Sequence, residues 1–272
     1  MEIPVILIHK GYCNYLQHTI QMSSKNNKTY LISDTNPNIF CENFIFVDSQ
    51  EYLGTLGEFT PHYEHMNTTP FEYELFCYHR WFILKEFMEK NQIDKVFYID
   101  SDVLLFENMS NEWVNFNQYD ITLLHRTAAI SSFITKKGID NFCDMLLLIY
   151  KNKDSYPFKK IKSHYTIRQQ SGLGGGVCDM TLLEFFHYHS EYGGGPGRVG
   201  EMMSIINEST YDHNINAEDN DYDFVNNVKN IQIINKKPFV FNKHLNKLIK
   251  FNTIHFQGGA KNLIKTIYDQ CY

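Results

Sequence analysis

Apolar residues in this chain cluster first as short continuous runs and then as longer helical periodicities. Residues 1–8 form an apolar run of strand length, with a strand expected over 3–8, and the polar His9-Lys10-Gly11 follows it. Over 14–24 the spacing of Leu16, Ile20 and Met22 predicts a helix with one inward face. Strands are expected at 30–32 and 43–47, running out into Ser33-Asp34 and Asp48. An irregular stretch with Gly54, Gly57, Pro61 and Pro70 occupies 50–70. A long helix is predicted over 71–90, with Leu75, Phe76, His79, Ile83 and Phe87 along one broad face and Pro70 at its start. It leads into Val96 to Ile99, apolar on both faces and therefore read as a buried strand. Asp100-Ser101-Asp102 breaks that run before a second apolar run at 103–106.

The pattern continues with a strand at 120–124 and a helix over 138–150 that turns Phe142, Met145, Leu146 and Ile149 inward. Residues 151–162 are rich in charge and are expected to be exposed loop. The glycine-rich stretch Gly172-Leu173-Gly174-Gly175-Gly176 opens into a helix over 179–189, which a second glycine cluster at 193–197 ends. The acidic run 218–223 is expected to be solvated. Strand candidates at 231–234, 238–241 and 248–256 suggest a small meander or hairpin, and a helix over 259–270 closes the chain. Strands alternating with helices predict an α/β fold with a mainly parallel central sheet flanked by helices, plus a small C-terminal β element. No linker or repeat divides it, so one domain over 1–272 is expected. Ligands of such sheets gather outside the carboxyl ends of the strands, where His9, Lys10, Asp34, Asp48, Asp100 and Asp102 stand.

Composition narrows the function. Hydrophobic residues at 43% and charged residues at 21% allow a proper core. A net charge of −6 argues against a dedicated nucleic-acid binder, while local basic groups remain free to hold a phosphorylated small molecule. The six cysteines are scattered without a close metal-ligand pair. The opening apolar run has neither a basic start nor a cleavage site, and no apolar run reaches membrane-spanning length. Reduced thiols in a cytoplasmic protein are therefore expected.

Two stretches carry candidate chemistry. Buried carboxylates are costly without compensation, so Asp100 and Asp102 read either as ligands of a divalent metal or as caps of a strand-to-loop turn. His255-Phe256-Gln257-Gly258-Gly259-Ala260-Lys261 puts a His at a strand end, then glycines, then a Lys in the first turn of a helix. That order suits a phosphate site beside a metal ligand, because glycines admit an anion to the backbone and Lys261 adds charge. A steric turn with His255 satisfied in the core is the other reading; the earlier aspartate pair favours the first. Asp179, after the glycines, reads as an N-cap or as a general base for an acceptor hydroxyl, with Glu191 the next choice. Asp212 to Asn216 is a polar knot that reads as sugar-hydroxyl binding or as an Asn-rich loop.

The ordered set Arg80, Asp100-x-Asp102 and His255-x-x-Gly258-x-x-Lys261 resembles GT-A glycosyltransferases, especially glycosyltransferase family 8, although Asn262-Leu263 follows Lys261 where that family has Pro-Trp. The resemblance implies a GT-A fold with a nucleotide-binding half over about 1–125 and an acceptor-side and closing part over about 126–272. It implies transfer from a nucleotide-diphosphate sugar, foremost a UDP-sugar, to a hydroxyl acceptor such as a glycan. Asp100, Asp102 and His255 would hold Mn²⁺ or Mg²⁺, the mixed oxygen and nitrogen set suiting Mn²⁺. Ser101, Arg80, Gly258 and Lys261 would serve the donor, and His9, Lys10, Gly11 and Asp34 its base and ribose. If the reaction inverts, Asp179 would be the base; if it retains, Asp179 would hold a sugar hydroxyl. A sugar nucleotidyltransferase and a non-catalytic carbohydrate- or nucleotide-binding module are the competing classes.

Overall fold

The computed structural model describes residues 2–272; Met1, counted above into the first apolar run, lies outside them. In chain order, β1 (Val5–His9), α1 (Leu16–Ser24), β2 (Thr29–Ser33) and β3 (Phe44–Asp48) precede α2 (Leu56–Phe59) and α3 (Phe71–Lys90). Then come β4 (Lys95–Ile99), β5 (Val103–Leu105), α4 (Met109–Glu112), β6 (Ile121–Leu123) and β7 (Ser131–Thr135). The helices α5 (Lys136–Lys151), α6 (Tyr156–Gln170) and α7 (Asp179–Tyr188) follow. The last part holds β8 (Val199–Glu201), β9 (Ser209–Tyr211), β10 (Phe224–Val225), β11 (Val228–Lys229), β12 (Ile231–Ile234), β13 (Lys237–Asn242), β14 (Lys247–His255) and α8 (Ile264–Cys271).

The central sheet has seven strands in the order β3-β2-β1-β4-β7-β6-β8, and all but β7 run the same way. This is the expected α/β architecture, with a mixed and mostly parallel sheet. Its strands are apolar on both faces because helices cover both. Ile6, Ile8, Val96 and Tyr98 face α3 and α5, while Val5, Leu7, Phe97 and Ile99 face the layer containing Leu16 and Ile20 of α1. The β4–β7 pairing was not expected from the sequence.

The long helix α3 has the predicted bounds, but more of it is buried than one face. Tyr78, Trp81, Phe82, Leu84 and Met88 are buried together with Leu75, Ile83 and Phe87, since α3 packs against both the sheet and α5, Trp81 touching Tyr98 of β4 and Phe142 of α5. Burial of each large apolar side chain of this kind contributes about 1.5–3 kcal/mol. Phe76 and His79, expected inward, are only partly buried. The charged stretch after α5 is not loop throughout: α6 starts at Tyr156, capped by the Ser155 side chain, and buries Phe158 and Ile161.

A second sheet, in the order β12-β13-β14-β5 with β9 beside β14, forms the C-terminal β element. Its far edge is β5, which pairs antiparallel with β14 so that Val103 faces His255 and Leu105 faces Thr253. The two apolar runs around Asp100-Ser101-Asp102 therefore belong to different sheets. Residues 258–263 are a 3₁₀ turn, and the closing helix begins only at Ile264. None of the helices among the described residues is long and apolar enough to cross a membrane.

Candidate active site

At the carboxyl ends of β1 and β4 lies a cavity of about 490 Å³. From β1 and the loop after it come His9, Lys10 and Tyr15; from the N-terminal half of α3 come Tyr73, Phe76, Cys77 and Arg80; from the inter-sheet corner come Asp100, Ser101 and Asp102; from the 3₁₀ turn comes Lys261. Seven of the sequence-derived candidates thus meet in one place: His9, Lys10, Arg80, Asp100, Ser101, Asp102 and Lys261.

Asp100 and Asp102 face different partners. Asp100 Oδ1 accepts from Arg80 Nη1 at 2.7 Å and from the Tyr98 hydroxyl at 2.9 Å. Burial pushes its carboxyl up, the Arg80 charge opposes this, and neighbouring Asp102 adds to the rise. Asp102 lies within 3.1 Å of Lys261 Nζ and 3.5 Å of His255 Nε2. Burial would raise its carboxyl, but His255 and Lys261 hold it below the usual carboxylate range.

His255 does not line the cavity; it stands behind Asp102 at the end of β14, where the β5–β14 register delivers it. Its Nδ1 donates to the His213 carbonyl at 2.6 Å, and its backbone N–H donates to Asp212 Oδ2 at 3.2 Å. Asp212 is itself bound by the buried Lys229, at 2.8 Å. The polar knot at 212–216 thus serves to hold His255. With Nδ1–H committed to a carbonyl, Nε2 is the nitrogen left for a metal, the usual tautomer control of a histidine ligand. Burial alone would lower the imidazole, yet the hydrogen bond and charge of Asp102 keep it above its ordinary value. Two carboxylates and an imidazole are a fitting donor set for Mn²⁺. Among the described residues, however, Asp100, Asp102 and His255 do not form one compact cluster: Arg80 pairs with Asp100, and Lys261 with Asp102.

The remaining candidates lie farther out. Asp34 Oδ1 accepts from the Gly11 N–H at 2.7 Å and from the Thr35 hydroxyl, so it braces the loop after β1. It borders a smaller cavity of about 250 Å³, shared with His9, Lys10, Gln50 and His79. Gly258 adopts φ +58, a left-handed turn that leads the chain from β14 towards Lys261. Asp179 is 3% exposed and is not part of the cavity wall. Its Oδ2 accepts from Arg80 Nη2 at 2.7 Å and from Trp81 Nε1 at 3.0 Å, and its Oδ1 accepts from the Met180 N–H at 2.9 Å. Arg80 therefore bridges Asp179 and Asp100, a partly buried fork held from both ends. Glu191 is exposed and bonds His189 at 2.7 Å, away from the cavity. The glycines at 172–176 do not line it either. Gly176 is there for close approach, since a Cβ on it would meet the Met66 carbonyl oxygen at 2.1 Å.

Sequence reading missed Tyr15, Tyr73, Phe76 and Cys77 as wall residues and Trp81 and Tyr98 as supports. A signal was present: 73, 76, 77 and 80 share one face of α3, ending in Arg80. Phe76 was assigned to the core because its neighbour in space, an open cavity, leaves no mark on periodicity. Tyr15 lies under the Lys261 ammonium at 5.3 Å and so stiffens the cationic side of the cavity.

No protein-family model and no curated protein matches this chain. Among solved structures it is similar to mouse xyloside xylosyltransferase 1, at 8% identity and TM-score 0.44, covering 77% of this chain and 88% of that one. It is also similar to a glycosyltransferase involved in glycosylation of the major capsid of PBCV-1, at 11% identity and TM-score 0.42, covering 97% and 98%. A third is an active-site mutant of LgtC, at 11% identity and TM-score 0.46, covering 98% and 95%. At these TM-scores the similarities assign neither a family nor an activity to this chain.

Proposed function

We propose that the chain is a metal-dependent glycosyltransferase of the GT-A type, moving a sugar from a nucleotide-diphosphate sugar, foremost a UDP-sugar, to a hydroxyl of a glycan acceptor. The observation that carries this reading is the meeting of Asp100, Ser101, Asp102, Arg80, His9, Lys10 and Lys261 around one cavity at the strand ends. Residues over about 1–125 bind the donor, while the remainder supplies the acceptor side and the closing His255 and Lys261. All six cysteines are free, which suits a cytoplasmic setting.

Mn²⁺ or Mg²⁺, held by Asp100, Asp102 and His255, would neutralise charge on the departing diphosphate. Lys261 and Lys10, both in the cavity wall, add positive charge from the protein. Tyr73 and Phe76 give the donor an apolar surface, and His9 with Gly11 and Asp34 shapes the base and ribose end. Arg80, fixed between two carboxylates, orients Asp100 and presents charge without having to reorganise. Asp179 acts in this reading as a positioning residue for Arg80, because its Oδ2 is engaged by Arg80 and Trp81 and the residue does not line the cavity. No role falls to Glu191.

Thermal shift tests the donor reading directly. UDP with Mn²⁺ together should stabilise the protein more than the sum of each alone. Asp102→Ala should remove that combined shift and the transfer activity while leaving the circular dichroism spectrum unchanged. A folded Asp102→Ala protein with the full shift would defeat the metal assignment. Stabilisation by neither UDP nor Mn²⁺ would point to a non-catalytic module instead.

A further inference from the structure

Beside the cavity, one group of interior side chains brings sulfur and oxygen together. Glu74 and Cys77 are one turn apart on α3, and Asp179 opens α7 next to them; one potential ligand atom of each lies within 4.8 Å of the others. Glu74 is 2% exposed. Its Oε2 accepts from the Thr69 hydroxyl at 2.6 Å, but Oε1 has no hydrogen-bond partner among the described residues. A buried oxygen left without a donor is costly in a folded chain, and a cation bound by Oε1 would offset that cost. Asp179 Oδ1 accepts only the Met180 N–H and retains acceptor capacity.

We propose that Glu74, Cys77 and Asp179 form a site for a thiophilic divalent cation of the zinc class, separate from Asp100, Asp102 and His255. One thiolate with two carboxylates leaves a fourth position for water, the composition of a tetrahedral zinc site. The sulfur ligand selects against Mg²⁺, which takes oxygen ligands only. Burial raises both the Cys77 thiol and the Glu74 carboxyl above their ordinary ranges. Cys77 binds as the thiolate, releasing its proton to solvent as the metal–sulfur bond forms, and Glu74 binds as the carboxylate. Cys77 lies in the wall of the donor cavity and supplies the route of entry. The site stands or falls independently of the transferase reading.

Cadmium titration of the intact protein, followed by the ultraviolet thiolate-to-cadmium charge-transfer band, tests it. The band should saturate at one cadmium per chain, with apparent affinity rising between about pH 6 and about pH 8 as the thiol proton is displaced. It should persist in Asp102→Ala, disappear in Cys77→Ser, and in Glu74→Gln require at least about tenfold more cadmium. Absence of the band in the wild-type protein, or an unchanged band in Cys77→Ser, overturns the site. If Cys77→Ser does not fold, Glu74→Gln decides: unchanged cadmium affinity there overturns the assignment as well.

Discussion

Arg80 joins two carboxylates that the chain places far apart, with Asp100 20 residues away and Asp179 99 residues away. Its guanidinium stays charged well above its ordinary range: burial works against it, and Tyr98, Asp100 and Asp179 outweigh the burial. Arg80→Ala leaves Asp179 buried and unpaired, so urea denaturation should show a loss of about 3–5 kcal/mol. Arg80→Lys should recover only part of it, because an ammonium cannot span both carboxylates as a planar fork does. His79, on the same helix, sets a pH limit. Its imidazole, bonded to the Thr60 hydroxyl at 2.9 Å, is pushed down from 6.5 to about 4, by burial first and then by the Lys10 charge, with Glu72 opposing. The unfolded chain therefore binds a proton between pH 6.5 and about 4 that the folded chain refuses. Stability is full above pH 6.5 and falls as pH drops towards about 4, by roughly 2 kcal/mol once partial solvent screening is allowed for. Denaturation midpoints across this range should flatten in His79→Gln; an unchanged slope there would assign the acid limb to other groups.

At the level of elements, the site depends on where α7 begins. The segment before it runs against Met66 and Asn67, with the Val177 N–H donating to the Met66 carbonyl at 2.7 Å and Gly175 N–H donating to the Thr68 hydroxyl at 2.7 Å. Gly176→Ala would drive a Cβ into that backbone, where Asn67 Cα is only 2.7 Å away. It should cost about 1–3 kcal/mol in urea denaturation and loosen the Asp179–Arg80 pair. An alanine variant as stable as the wild type would show that the crossing can relax. How far these elements were legible follows from their chemistry. The bounds of α3 were readable because a long apolar periodicity begins at a proline and ends in a polar turn. The strand β7 was not, because its buried Ser131 and Ser132 read as polar loop. Ser132 bonds the Thr122 carbonyl at 2.6 Å, so a hydroxyl hides in the sheet by pairing there. In α6 only Phe158 and Ile161 are buried, and the lysines between them mask the period. Asp179 was visible as a helix-start carboxylate, but spacing alone carries no hint that its partners are Arg80 and Trp81.

For the whole molecule, the decisive event is the pairing of β5 with β14, which brings the last quarter of the chain back to the corner after β4. The resemblance carried by Asp100, Asp102, His255 and Lys261 implied such a return, since the metal and diphosphate it implies need ligand and countercharge together. What it left unsaid is that Arg80 pairs with Asp100 and Lys261 with Asp102. Lys261 contacts Asp102 at 3.1 Å with its own side chain 36% exposed, so this ion pair is worth under about 1 kcal/mol to the fold. Lys261→Ala should therefore move the ligand-free denaturation free energy by less than that amount. Its effect on the donor should be larger, because the positive charge beside Asp102 is lost at the diphosphate. At a UDP concentration near 100 times the dissociation constant, with Mn²⁺ present, the wild-type protein should gain about 2.7 kcal/mol. That corresponds to a rise of roughly 5–11 °C in Tm for a domain of this size. In Lys261→Ala the same concentrations should give at most half that rise. Mn²⁺ alone should bind the variant at least as well, since Asp102 has lost a competing cation. A variant that keeps the full UDP shift would place the diphosphate away from Lys261, and one that loses Mn²⁺ binding as well would make Lys261 a structural support of Asp102.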